Sequence, residues 1–321
     1  MGKSLCGAQK PAVTHRVPHP GFPLAAHRGP LHLDLSSSTQ SLILNLSTTY
    51  TSLSHTFPVI LVDSSIAMGS TALPYMATQP KLIFFTDFDG TITVDDSNDF
   101  MIDNLGFGRE RRQQLNEKVL NETLGFRDAF REMLSSIKTP YDECIATLLK
   151  NMKLDPYFEK FYYWARDNNV PIVILSSGMK PIISALLEKF LGHKPGNHLH
   201  IVCNEVVPRD GKDINSEGGW QIQYHDESHF GHDKSIEIKP YAALPDSERP
   251  VLLYAGDGVS DLSAAAETNL LFAKAGKDLV TFCERRGMPY TTFQDWSTIL
   301  STTQDILAGK VSPADVATKS A

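Results

Sequence analysis

The chain has 321 residues, 41% of them hydrophobic, with a net charge of −7 spread along its length and a pI near 5.9. That is enough apolar material for a full core and room for two domains. There is no basic run with interleaved aromatics to bind nucleic acid, and no apolar run nears the roughly 18 residues of a membrane span.

Residues 1–75 differ from the rest. They hold two acids (Asp34, Asp63), four basic residues and five of the eleven histidines. Their charge is therefore +2, which leaves −9 for the remainder. The Ser/Thr-rich run LDLSSSTQSLILNLSTTYTSLSHT lacks the apolar pattern of a folding segment. Three readings stand: a leader without a catalytic role, a transit peptide, or sequence upstream of a true start at Met68 or Met76. A transit peptide would make the protein mitochondrial, though Arg16 and Arg28 are its only arginines; otherwise the cytoplasm is expected. The opening MGKSLC puts Cys6 where a myristoylation signal wants Ser or Thr. Cys6, Cys144, Cys203 and Cys283 are far apart and form no CxxC pair. They fit reduced thiols rather than a disulfide framework or a zinc site.

From Lys81 the organisation is regular. KLIFFTD is a continuous apolar run of strand length, as for a strand covered on both faces. Three segments follow with apolar residues three and four apart, GRERRQQLNEKVL, GFRDAFREMLSSI and PYDECIATLLKNM, and these read as helices. Pro140 and Pro156 sit where helices should begin. NNVPIVILSSGMKPIISALLEKFL then reads as strand, turn and helix, LHIVCNEVV as a strand, and RDGKDINSEGGWQIQYHD as a hairpin with an Asp-Gly turn. RPVLLYAGDGVSDLSAAAETNLLFAK repeats strand, turn, helix and strand. Alternating strands and helices predict an α/β fold, a Rossmann-like three-layer parallel sheet with an inserted helical cap. The expected division is a core at 76–96 plus 168–310, a cap at 97–167 and a flexible tail at 311–321.

In an open parallel sheet, ligands bind beyond the carboxyl ends of the strands. One such end carries Asp87 and Asp89; another carries Ser176, Ser177 and Gly178; a third carries Asp257, followed by Asp261. Lys234 lies in the polar loop FGHDKSIEIKP. Buried like charges raise one another's energy unless a cation separates them. Three carboxylates converging from strand ends make an oxygen-rich cage suited to Mg²⁺. A calcium loop starting at Asp87 is excluded, because its sixth and twelfth positions are Ile92 and Asn98 instead of glycine and glutamate.

The order DxDGT, Ser after a strand, Lys, then GDxxxD resembles the haloacid-dehalogenase superfamily of phosphohydrolases over roughly residues 81–300. The long helical insertion is similar to the type-one cap of phosphoserine phosphatase and its relatives. ILSSGMKPII and LLYAGDGVSDLSAA look closest to methionine-salvage, phosphocholine/phosphoethanolamine and sugar-alcohol phosphatases. Relatives often have Ser-Gly-Gly at the second motif, where Ser177 replaces the first glycine here; both serines stay open as the phosphate ligand.

The resemblance implies hydrolysis of a small phosphorylated metabolite, with Asp87 as nucleophile and Asp89 as acid and base. It implies Mg²⁺ on Asp87, Asp257 and the Asp89 carbonyl, with Asp261 binding or orienting the metal. Phosphate contacts fall to Thr91, Ser176, Ser177, Gly178 and Lys234, with Thr91 also orienting the nucleophile loop. A phosphomutase, a dehalogenase and an inactive binding protein are the rivals; the presence of Asp89 disfavours the dehalogenase. On the leaving-group side, Asp95, Asp96, Asn98 and Asp99 favour hydroxyl or ammonium donors unless they merely cap the first cap helix. Polyol or sugar phosphates then fit better than phosphoserine, whose carboxylate would need Arg109, Arg111 or Arg112. No heptad repeat or other assembly pattern speaks to oligomeric state.

Overall fold

The structure, a computed structural model, describes residues 73–317; the expectations for the leader up to residue 72 lie outside them. Strand β1 (Leu82–Thr86) is buried at every position and forms the middle of the sheet. It pairs in parallel with β2 (Ile172–Met179) on one side and β5 (Val251–Gly256) on the other. Beyond these lie β3 (Leu199–Pro208), β4 (Trp220–Gln223), β6 (Leu270–Lys274) and β7 (Thr291–Phe293), in the order β4-β3-β2-β1-β5-β6-β7. Only β4 runs antiparallel, in the hairpin expected after β3. Residues 209–219 close that hairpin, a longer connection than the two-residue turn that Asp210-Gly211 suggested.

Side chains alternate across a strand, so β1 feeds two cores. Leu82 and Phe84 face a layer that includes α6 (Lys180–Leu191) and α10 (Trp296–Leu307). Ile83 and Phe85 face α7 (Ser235–Ala242), α8 (Leu262–Ala265) and α9 (Asp278–Arg286). This is the three-layer arrangement that continuous apolar strands require.

Between β1 and β2 come α1 (Ser97–Leu105), α2 (Arg109–Leu120), α3 (Phe126–Ser135), α4 (Tyr141–Asn151) and α5 (Phe158–Asp167). α3 shows why such segments fold as helices: Ala129, Phe130, Met133 and Leu134 recur on one face, and that face is buried. The chain leaves and re-enters through two antiparallel linkers bridged at Thr93 and Leu154. Hydrogen bonds from Val94 N to Lys153 O (3.0 Å) and Asp155 N to Ile92 O (2.9 Å) tie them together. The helices also rest on the β3–β4 hairpin, through Gly218 N to Lys138 O (2.7 Å) and Trp220 Nε1 to Thr139 O (2.9 Å). α5, expected in the cap, packs on the sheet instead: the Phe161 ring lies 4.7 Å from that of Phe84 and 4.8 Å from that of Trp296. Periodicity shows which face of a helix is buried and leaves open against what. The expected tail likewise starts with a capped turn, α11 (Pro313–Val316), whose Val316 packs against the core. No described helix is long and apolar enough to cross a membrane.

Tyr75 bears on the start of the folded part. It is 7% exposed and stacks on Tyr241 at 5.1 Å, with Phe85 at its edge. A chain beginning at Met76 loses this ring and about 2 kcal/mol of apolar burial. It is therefore expected to melt roughly 4–8 °C below one beginning at Met68. Equal melting temperatures would show that Tyr75 contributes nothing to the core.

Candidate active site

β1 continues its ladder to Asp87, whose N–H reaches Ala255 O at 2.8 Å, and then stops. Phe88 is fully buried, and its carbonyl gathers the N–H groups of Thr91, Ile92 and Thr93 into a tight turn. Gly90 makes the turn possible. It has φ +74°, and a Cβ there would lie 2.3 Å from Asp257 Oδ2. The sequence DFDG thus buries its phenylalanine and turns Asp87 and Asp89 toward the end of the sheet.

Lys234, fully buried, spans two strand ends. Its Nζ donates to Asp87 Oδ1 at 2.7 Å and to Asp261 Oδ1 at 2.6 Å. Burial raises the Asp87 pKa to about 7 even against the pull of Lys234. Burial opposes charge on Lys234 too, but Asp261 and Asp87 more than offset it and hold the ammonium above its ordinary pKa. Asp257 is pushed well above the carboxylate range by burial and by the charge of Asp87. Asp89 is raised well above it as well, by burial first and then by Asp96. Its two oxygens accept from Ser97 N and from Asn98 Nδ2, each at 2.9 Å.

Asp87, Asp257 and Asp261 each offer a carboxylate oxygen, and these atoms lie within 4.8 Å of one another. Asp261 is nevertheless fully occupied. Its Oδ1 accepts from Lys234 and from Tyr254 Oη (2.6 Å), and its Oδ2 from the N–H groups of Asp257 and Gly258 (2.9 Å each). Four accepted bonds use the lone pairs of a carboxylate. Of the two roles expected for Asp261, binding the metal or orienting it, these bonds favour the second: its oxygens hold the loop and Lys234. Asp87 and Asp257 keep free oxygens in an anion-crowded site, a donor set that fits a hard divalent cation. Tyr254 escaped the sequence reading; the one hydroxyl in the apolar run VLLYAG was its signal.

A cavity of about 260 Å³ opens over these groups. Asp87, Asp89, Ser176, Ser177, Gly178 and Asp257 line it. Thr91, Lys234 and Asp261 do not. Thr91 is completely buried behind the turn, where its carbonyl takes the Trp296 Nε1–H at 2.8 Å. A phosphate contact is thus out of its reach as the turn stands, although it does anchor the loop. Ser176 Oγ accepts the Gly178 N–H at 2.9 Å, whereas Ser177 Oγ is buried with no hydrogen-bond partner among the described residues.

The leaving-group side divides. Asp95 is exposed and off the cavity. Asp96 caps α1, accepting from Asn98 N and Asp99 N at 2.8 and 2.9 Å. Asn98 serves Asp89, and Asp96, Asn98 and Asp99 all line the cavity. Arg112 is buried and paired with Asp99 and Asp103, and Arg111 reaches Glu132 at 2.8 Å. Neither these arginines nor Arg109 line the cavity; among the described residues its only cation is Lys277. Asn116, Leu120, Phe126, Phe130 and Met133 form the opposite wall.

Residues 84–266 match the family model described as haloacid dehalogenase-like hydrolase. Pdp3-interacting factor 1 of Schizosaccharomyces pombe is 48% identical over 224 residues, 70% of this chain and 95% of its own. Polyol phosphate phosphatase PYP1 of Saccharomyces cerevisiae is also 48% identical, over 242 residues, 74% of this chain and 98% of its own. Among solved structures, a HAD-family hydrolase of Salmonella enterica serovar Typhi superposes with a TM-score of 0.51 at 15% identity, covering 69% of this chain and 70% of that one. That last likeness speaks to the fold.

Proposed function

This chain belongs to the haloacid dehalogenase-like hydrolase family and is a phosphoric monoester hydrolase, and we propose that it acts on small polyol or sugar phosphates through an aspartyl-phosphate on Asp87, with Mg²⁺. The observation that carries this reading is the pairing of Asp87 and Asp89 on the wall of one small cavity, with Lys234 behind the first of them. The 48% identity to a polyol phosphate phosphatase supports the substrate class.

An Asp87 oxygen attacks phosphorus while the bond from phosphorus to the ester oxygen breaks. Asp89, whose raised pKa favours the protonated acid, gives its proton to the departing alcohol. As a carboxylate it then takes a proton from water, whose oxygen attacks phosphorus and releases Asp87. Lys234 offsets charge at the nucleophile, and the Ser176 hydroxyl holds a phosphoryl oxygen. Asp87, Asp257 and the Asp89 carbonyl would hold Mg²⁺, which neutralises the repulsion between carboxylate and phosphate. EDTA is expected to reduce phosphate release to background and added Mg²⁺ to restore it. Turnover that survives EDTA would remove the metal from this reading.

The cavity sets the leaving group. Its volume suits a small metabolite, and Asp99 and Asn116 can meet hydroxyls while Phe126 and Phe130 cover carbon. A carboxylated substrate meets no cap cation, because Arg112 is already committed. A second reading, amino-alcohol phosphates, is favoured by the stacked Phe126–Phe130 pair at 5.5 Å beside Asp99. In a panel of monoesters with Mg²⁺, polyol and sugar phosphates should exceed phosphoserine in kcat/KM by at least tenfold, about 1.4 kcal/mol. Phosphoserine or phosphocholine leading every polyol by that factor would overturn the polyol assignment.

A further inference from the structure

β2 and β3 stay in register as far as Ser176 opposite Cys203, but the next pair is Met179 opposite Asn204. Ser177 and Gly178 therefore bulge from the ladder, and carbonyls at a bulge need new partners. Two buried side chains supply them. His232 Nδ1 lies 3.0 Å from Ser176 O, and Asn204 Nδ2 donates to Ser177 O at 2.7 Å. Both residues are fully buried, and neither lines the cavity.

The chemistry of each contact is settled by its surroundings. Asn204 Oδ1 accepts the His225 N–H at 2.8 Å, which leaves the amide NH₂ for the carbonyl. A carbonyl cannot donate, so the His232 proton sits on Nδ1. Burial also pushes the His232 pKa down to about 4, keeping the ring neutral. In a planar trans peptide, C=O and N–H point in opposite directions. Holding the Ser177 carbonyl thus aims the Gly178 N–H, and that N–H grips Ser176 Oγ at 2.9 Å. With its oxygen already accepting, the Ser176 hydroxyl keeps its proton for an acceptor in the cavity.

We propose that Asn204 and His232 are positioning residues that lock the Ser176–Gly178 bulge so that Ser176 donates its hydroxyl proton to a phosphoryl oxygen. This deepens the phosphatase reading and depends on it. The same loop carries His232 and Lys234, so one segment sets both the phosphate donor and the cation beside the nucleophile.

The test compares His232→Leu, His232→Asn and Asn204→Leu with the wild-type chain, measuring kcat, KM, inhibition by inorganic phosphate and melting temperature. The leucines fill similar space without a donor; Asn at 232 can still present an amide where Nδ1 was. Both leucine variants should lower kcat/KM and weaken phosphate inhibition at least tenfold, and His232→Asn should recover most of that loss. Leucine variants that melt lower but keep wild-type phosphate inhibition and turnover per folded molecule would reduce these residues to structural roles and overturn the proposal. Should Asn204→Leu not fold, the His232 pair decides by the same criteria. A wild-type chain that hydrolyses no phosphate monoester would sink the phosphatase reading itself, whereas active but unaffected variants would sink only the clamp.

Discussion

Asp87→Asn is expected to lose at least about 10³-fold in turnover while melting no lower than the wild type. The first half follows from chemistry: an amide does not attack phosphorus, and removing a nucleophile costs orders of magnitude that neighbouring groups do not recover. The second half follows from charge. Asp87, Asp261 and Lys234 form a buried triad of two anions and one cation. The variant leaves the balanced pair Lys234–Asp261 and removes a carboxylate whose charged form burial disfavours. Measured in EDTA, its melting temperature should equal or exceed that of the wild type, a stability gain at the expense of function. Asp89→Asn should differ, because the nucleophile survives: phosphoenzyme should accumulate on substrates with good leaving groups. More than a few per cent of wild-type turnover in Asp87→Asn would end the covalent mechanism, and full activity in Asp89→Asn would end the acid–base role.

Lys234→Met should be the most destabilising single change in the site. The ammonium is completely buried, within 2.7 Å of Asp87 Oδ1 and 2.6 Å of Asp261 Oδ1. Methionine fills similar space but leaves two buried carboxylates facing each other, and breaking a buried ion pair costs about 3–5 kcal/mol. That corresponds to a fall of roughly 6–20 °C in melting temperature, with activity lost as well. Adding Asp87→Asn to Lys234→Met removes one of the orphaned charges and should recover part of the loss, a coupling that a double-mutant cycle reads directly. A single variant melting within a degree or two of the wild type in EDTA would show that solvent or protonation already satisfies the triad.

These expectations use features of very different legibility. The run KLIFFTD announces a strand covered on both faces, because only such a strand tolerates apolar residues at every position, and β1 is buried throughout. The positions of Asp87 and Asp257 just past strand ends follow from the same local pattern, since a strand stops where apolar residues give way to turn residues; Ser176, expected at a strand end, lies inside β2, which continues to Met179. Helical spacing foretold α3 and α4 in the same way.

Partnerships were not legible. Lys234 meets Asp87 across 147 positions in the chain, and nothing in FGHDKSIEIKP separates that lysine from a solvated one. Arg112 read as a candidate for a substrate carboxylate, yet α1 and α2 pack so that Asp99 and Asp103 neutralise it. Asp261 read as binding or orienting a metal, and the sequence did not show that four donors from its own loop, Lys234 and Tyr254 fill its oxygens. Periodicity and turn chemistry act over a few residues, so the sequence alone determined which faces are buried and where strands end. Which buried charge is compensated by which partner depends on distant elements brought within 3 Å, and that only the tertiary structure decided.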